Sequence, residues 1–150
     1  MPVPPSVTKI NKDGVQFISS VDRVSYTMKE LCRGALRDVG KFVCREFKQS
    51  FYSHFKKKTG IIKRFTQYWV QHRYEDYPVL MIGFKPIAFY GGFQEIGSSD
   101  TPKMGLLSAA VQDNISEIIL IESQYLSALE DEARALALIS DEDYEGGEDE

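Results

Sequence analysis

The chain has 150 residues and a mass of 17.1 kDa, with 43% hydrophobic and 27% charged residues and a formal net charge of -4. That is the size and balance of a single globular domain with one sizeable core. No apolar stretch approaches the roughly 18 uncharged residues of a membrane span, and Met1–Pro5 carries neither the basic nor the apolar region of a secretory signal. Cys32 and Cys44 are too few for a disulfide framework, lack metal-ligand spacing and fall ~18 Å apart along one predicted helix. A reduced, soluble protein, intracellular or particle-borne, is therefore expected.

The net charge hides a division. Residues 1–85 hold sixteen Lys and Arg against seven Asp and Glu, while residues 86–150 hold two against fifteen. Such asymmetry points to distinct partners for the two halves, or to pairing between them within a subunit or between copies.

Residues 1–24 contain three prolines and scattered apolar residues, and read as an arm with one short strand near 15–18. From Tyr26 the pattern becomes helical: Met28, Leu31, Cys32, Ala35, Leu36, Val39, Phe42 and Val43 recur every three or four residues. Lys29, Arg33, Arg37, Lys41, Arg45 and Lys48 occupy the complementary arc, which predicts one greasy and one basic side. The apolar register slides at Phe47, Phe51 and Phe55, predicting a bend near Gln49-Ser50. Lys56–Lys58 suit a helix C-terminus and Gly60 a stop.

Beyond Gly60, residues 65–74 and 77–84 read as two strands joined by a turn at Glu75-Asp76, with Tyr90–Ile96 as a third. Asp100 or Thr101 as N-cap and Pro102 in the first turn start a second long helix, from about Lys103 to Leu138. Its centre, Ile118–Ile121, is apolar most of the way round, so cover on both sides is expected. The last eleven residues hold seven acids and read as a solvated or partner-ordered tail. The expected fold is α+β: a long N-terminal amphipathic helix, an antiparallel sheet of three to four strands, a second long helix packed on that sheet, and an acidic tail. Its divisions are an arm (1–24), one domain (25–139) and the tail (140–150).

Enzyme readings find no footing. His54 and His72 are the only imidazoles, and neither has a recognisable nucleophile nearby. Gly91-Gly92 lacks phosphate-loop spacing, and no Gly-centred calcium loop is present. Glu95, the one acid inside a predicted strand, reads as an edge-strand charge or a local hydrogen-bond acceptor ahead of a buried functional group. No catalytic residue, cofactor or metal is expected.

Two binding readings remain open from the residues alone. Lys29–Arg64 carry eleven cations against three acids, interleaved with Phe51, Tyr52 and Phe55, which fits nucleic-acid binding through the basic face of helix 29–48. Against it stand the lack of a base-reading motif and the acidity of the other half. The second reading is self-assembly, in which that basic face meets an acid-rich helix and tail of another copy. Its candidate interface residues are Arg33, Arg37, Lys41, Arg45, Lys48, Ile118, Ile119, Ile121 and Glu122.

Three segments also carry a resemblance: Thr59-Gly60-Ile61-Ile62, Tyr90-Gly91-Gly92-Phe93-Gln94-Glu95-Ile96-Gly97, and Pro102-Lys103-Met104-Gly105-Leu106-Leu107-Ser108-Ala109-Ala110. In that order they resemble landmarks of the tail-completion or minor tail family from the neck of long-tailed bacteriophages. Ile61-Ile62 stands where Leu is usual and Ile96 where Phe is common. The family-motif positions are Thr59, Gly60, Tyr90, Phe93, Glu95, Gly97, Pro102, Leu106 and Ala109. The resemblance implies a non-enzymatic virion protein that forms a ring of six or twelve copies at the head–tail junction after assembly in the host cytoplasm. Its implied partners are other copies, a head-completion or adaptor protein, and a tail terminator or tail-tube protein. Genomic DNA would pass through the lumen without sequence-specific binding, and no membrane is involved. Asp141, Glu142, Asp143 and Glu145 are candidates to line that channel or touch a partner.

Overall fold

A computed structural model of the chain describes residues 3–55, 60–71, 77–131, 133–136 and 138–139, and its class is α+β. It opens with a hairpin, in which strand β1 (Thr8–Lys12) pairs antiparallel with β2 (Val15–Ser19). Asp13 and Gly14 join them at φ 53° and 78°. Two successive positive φ angles belong to the turn whose twist matches paired strands, and Asp-Gly is a favoured sequence for it. The expected strand near 15–18 is thus β2, and its partner lies in what reads as featureless arm.

Helix α1 follows as one unbroken element, Val21–His54. It begins five residues before Tyr26 and continues unbroken through Gln49-Ser50, where a bend was expected. Neither Gly nor Pro interrupts the ladder there. The sliding register is absorbed by aromatic packing instead: Phe51 lies 5.7 Å from Phe47 and 4.5 Å from Phe55, ring centre to ring centre. Gly60, left-handed at φ 75°, leads into a single helical turn, α2 (Ile61–Phe65), which the sequence pattern does not predict. Strands β3 (Thr66–Gln71) and β4 (Val79–Phe84) then pair antiparallel, with Tyr68 opposite Ile82 and Val70 opposite Leu80. Lys56–Thr59, His72 and the Glu75-Asp76 turn lie outside the described residues.

The third expected strand is a helix. A 3₁₀ turn at Pro86–Ala88 runs into α3 (Tyr90–Ile96). Packing overrides the strand preference of its Tyr, Phe and Ile residues. Gly91 is buried, and a Cβ there would lie 3.0 Å from Ile62 and 3.1 Å from the Phe84 ring, so the helix seats its glycine against β4. Among the described residues, four strands therefore make two separate two-stranded ribbons, β1–β2 and β3–β4, in place of one sheet.

The second long helix is also divided, into α4 (Leu106–Gln112) and α5 (Ile115–Ser127), with a 3₁₀ turn at Ala128–Glu130. Asn114 makes the break. Its side-chain amide donates to the Ala110 carbonyl at 2.9 Å, while its backbone N–H donates to Val111. Such side-chain competition for helix hydrogen bonds is why Asn disfavours helix interiors.

Both pieces pack chiefly on α1 and not on a sheet. Val39, Val43 and Phe47 of α1 bury against Ile62, Ala88, Leu106 and Ala110, with Leu80, Ile82 and Phe84 of β4 alongside. A turn or more earlier, Leu31 and Ala35 bury against Tyr125, Ala128 and Ala135. The Tyr125 hydroxyl donates to Asp38 at 2.5 Å, pinning α5 to α1 between the two clusters.

The β3–β4 ribbon reaches α1 through Gly40, where a Cβ would lie 2.5 Å from the Tyr68 ring and 3.1 Å from Leu80. Gly40→Ala should cost about 1–3 kcal/mol in urea unfolding, because overpacking outweighs the ~1 kcal/mol gain in helix propensity. Gly92→Ala, with nothing within 4 Å, should be neutral or stabilising.

Candidate functional site

Along α1 the cations recur every third or fourth residue, so they share one helix face. The structure sets that face beside β3 and leaves an open groove of about 1280 Å³ between them. Arg37, Lys41, Arg45 and Lys48 line it from α1, Lys63 and Arg64 from α2, and Lys85 from the end of β4; Tyr52, Tyr68 and Trp69 add aromatic surface. No carboxylate lines the groove among the described residues. At its rim Asp38 Oδ1 stands 3.8 Å from Lys41 Nζ, and Glu46 Oε1 lies 3.5 Å from Arg45 Nε. Ion pairs this exposed offset little of the positive field. Lys63 Nζ sits 5.2 Å from the centre of the Tyr52 ring, joining α2 to α1 across the groove.

Four of the five basic interface candidates therefore come together here. Arg33 does not, and it pairs with Glu30 a turn earlier. Sequence reading counts Lys63 and Arg64 in its basic stretch but assigns the face to helix 29–48, and it misses Lys85, Tyr68 and Trp69, which reach the groove through the fold of the ribbon. The signal available was the local excess of cations continuing past Gly60.

The second group of candidates sorts by burial. Ile118 and Ile121 pack inward on the core, and Glu122 stands near Cys32. Ile119 and Leu120 face outward, each more than half exposed, as do Ile115 and Leu126. Among the described residues, only one side of the apolar centre of α5 is covered. Burial, helped by Glu122, raises the Cys32 thiol above its ordinary pKa; burial also raises Cys44, with Lys48 opposing. Neither is an activated thiolate. Among the described residues no group of three His, Cys, Asp or Glu is placed to hold a metal, and no helix is long and apolar enough to cross a membrane. Thr59, Asp141, Glu142, Asp143 and Glu145 lie outside the described residues.

Glu95, Gly97 and Leu106 among the motif positions meet at the start of α4. Gly105, the N-cap of α4, has no side chain to satisfy the helix's first N–H groups. Glu95 does it from α3: its carboxylate accepts the Leu107 N–H at 2.9 Å and the Ser108 N–H at 2.8 Å, and the Ser108 hydroxyl at 2.7 Å. Gly97, at φ 89°, turns the chain back so closely that a Cβ would lie 3.1 Å from the Lys103 nitrogen. The Met104 N–H then donates to the Gln94 carbonyl at 2.8 Å. Leu106 buries into the core beneath, whereas Phe93 is half exposed and packs edge-on to Phe89, 6.1 Å away. Pro102 stands four residues before α4 and not in its first turn.

No family model, no curated protein and no solved structure matches the chain.

Partial burial works to raise the Glu95 pKa, but the hydrogen bonds from Ser108 and Leu107, with Lys103 nearby, outweigh it and hold the carboxyl below its ordinary value. A group lowered in the folded state stabilises above its unfolded pKa and loses that contribution as pH falls through its folded one. Glu95→Ala should therefore cost about 1–2 kcal/mol at neutral pH, as removal of a helix cap does. In thermal melts at stepwise lower pH, the gap between wild type and variant should close in the acid range. A gap that stays constant would mean the carboxylate charge is not what caps α4.

Proposed function

We propose that this chain is a structural subunit of a tailed-phage neck, forming a ring that joins the portal–adaptor complex to the tail and leaves a channel for DNA. The observation that carries the reading is the division of one small subunit into unlike adhesive surfaces. One side presents the cation-lined groove. Another presents α5, with Glu117 exposed beside Ile115, Ile119 and Leu120 and with Glu130 and Asp131 exposed just beyond it. Different patches of opposite sign make a head-to-tail contact between copies, and such contacts close into rings when the rotation allows.

Supporting it, the motif residues behind the neck-family resemblance serve architecture: Glu95 caps, Gly97 turns and Leu106 packs. A virion part needs shape at those positions and no reactive group. Exposed apolar side chains add to the case. The β1–β2 ribbon leaves Ile10, Val15 and Ile18 more than half exposed, and α3 does the same with Phe89 and Ile96. Surface of this kind marks sites that other protein covers. In the ring, the adaptor and the tail terminator or tail-tube protein take the two axial faces, and genomic DNA passes through without sequence-specific contact.

The groove favours one second reading, a nucleic-acid-associated protein, because aromatic residues interleave with its cations. Light scattering and negative-stain imaging at low and high salt separate the two. The neck reading expects rings of six or more copies with a central hole. It also expects the triple variant Arg37→Glu, Lys41→Glu, Arg45→Glu to remain monomeric. Normal assembly of that variant would refute the docking role, and tight salt-sensitive binding of random DNA by a wild-type monomer would favour the second reading.

A further inference from the structure

We infer that the basic groove is a binding site for an acidic peptide, and that in the free subunit its occupant is the chain's own C-terminal segment, residues 140–150. Three observations carry this. The first is chemical: the groove presents seven cations and no carboxylate among its described lining, and the segment carries seven carboxylates in eleven residues. No other stretch of the chain is as acidic, and opposite charges at this density select one another over a neutral surface.

The second is continuity. Leu138 and Ile139, the last described residues, pack against the cluster that Leu31 and Ala35 of α1 form with Tyr125, Ala128 and Ala135. On α1 those two positions precede Arg37, at one end of the groove, by less than two helical turns. The described chain therefore ends over an adjoining arc of α1, ~9 Å or less along the axis from the near end of the groove.

The third is reach. From Arg37 to Tyr52 the groove follows α1 for ~22 Å at helical rise. Eleven extended residues span up to ~36 Å, enough to run its length with slack. Short tethers of this kind hold a ligand at high effective concentration, so individually weak ion pairs suffice. The same contact would shield the groove of a chain with a strongly basic half from indiscriminate capture of polyanions. In the proposed ring, a neighbour's acidic surface would displace the segment. The inference itself stands whether or not the chain forms a ring.

The test uses full-length protein and a fluorescent synthetic peptide of residues 140–150, read by anisotropy at low salt on protein verified as monomeric by light scattering. In one variant every Asp and Glu from Asp141 to Glu150 becomes Asn or Gln. A second adds Arg45→Glu, Lys48→Glu and Lys63→Glu to the first. The amide variant should bind the peptide at least ~tenfold more tightly than wild type, whose groove is already covered, and added salt should erase the difference. The second variant should lose the peptide, with Gln at the same three positions as the alternative if its circular dichroism shows misfolding. Equal affinity for wild type and amide variant would overturn the inference, as would binding that survives the groove changes. Protection of wild type that vanishes on dilution would also overturn it, by assigning the occupant to another copy. A single-stranded oligonucleotide that binds wild type as tightly as the amide variant would show the groove to be open to polyanions, against the proposed cover.

Discussion

A 34-residue helix cannot stand alone in water with apolar side chains on two different arcs, and α1 is such a helix. Val39, Val43 and Phe47 demand cover on one arc, Leu31 and Ala35 on another. Every other element of the domain is placed by one of those demands. The β3–β4 ribbon and α4 close the first arc, and α5 with the residues around Ala135 closes the second. A two-stranded ribbon is marginal by itself, so β3–β4 depends on α1 as much as α1 depends on it. Gly40 permits the approach, since any side chain there would meet the Tyr68 ring.

The third arc of α1 has no apolar residues to bury, and the groove follows from that. No apolar element among the described residues gains by packing over Arg37, Lys41, Arg45 and Lys48, so the ribbon stops beside them. α2 then adds Lys63 and Arg64 because Gly60 lets the chain reverse just past the end of α1. The concentration of charge is thus a product of core packing. The same logic accounts for the outer face of α5. Once Ile118 and Ile121 have been used against the core, Ile119 and Leu120 are left more than half exposed among the described residues.

Sequence periodicity suffices for elements whose pattern is long. The α1 stripe and the pairing of residues near 66–71 with 79–84 are legible, because each repeats its period several times. It fails where local preference and tertiary demand conflict. Tyr90–Ile96 is rich in strand formers, yet Gly91 must press against Ile62 and Phe84, and a helix achieves that. Asn114 reads as one more face residue until its side chain takes the Ala110 carbonyl and divides the helix. The opposite error occurs at Asp13-Gly14, where the hairpin turn is written plainly in the sequence between two weak strands. For the site, the α1 cations are legible as a face. The cations of α2 and β4 belong to it through a fold that no local window contains. Glu95 is similar: its acceptor role reads correctly from the residue type, but its donors lie twelve and thirteen positions on.

Charge and apolar surface do different work in an assembly built from such a subunit. Long-range attraction between unlike patches raises the rate of encounter and fixes which faces meet, but exposed pairs contribute little to holding them together. Persistence comes from apolar area removed from water, roughly 25 cal/mol per Å², and here that area lies on α5, on α3 and on the β1–β2 ribbon. The proposed ring would need both properties in sequence, first correct orientation and then permanence. A chain that carries its charge in one groove and its exposed apolar residues elsewhere can be selective while free and stable once assembled. Neither surface alone would give that combination. A purely apolar subunit would aggregate before finding its place, and a purely charged one would come apart in salt.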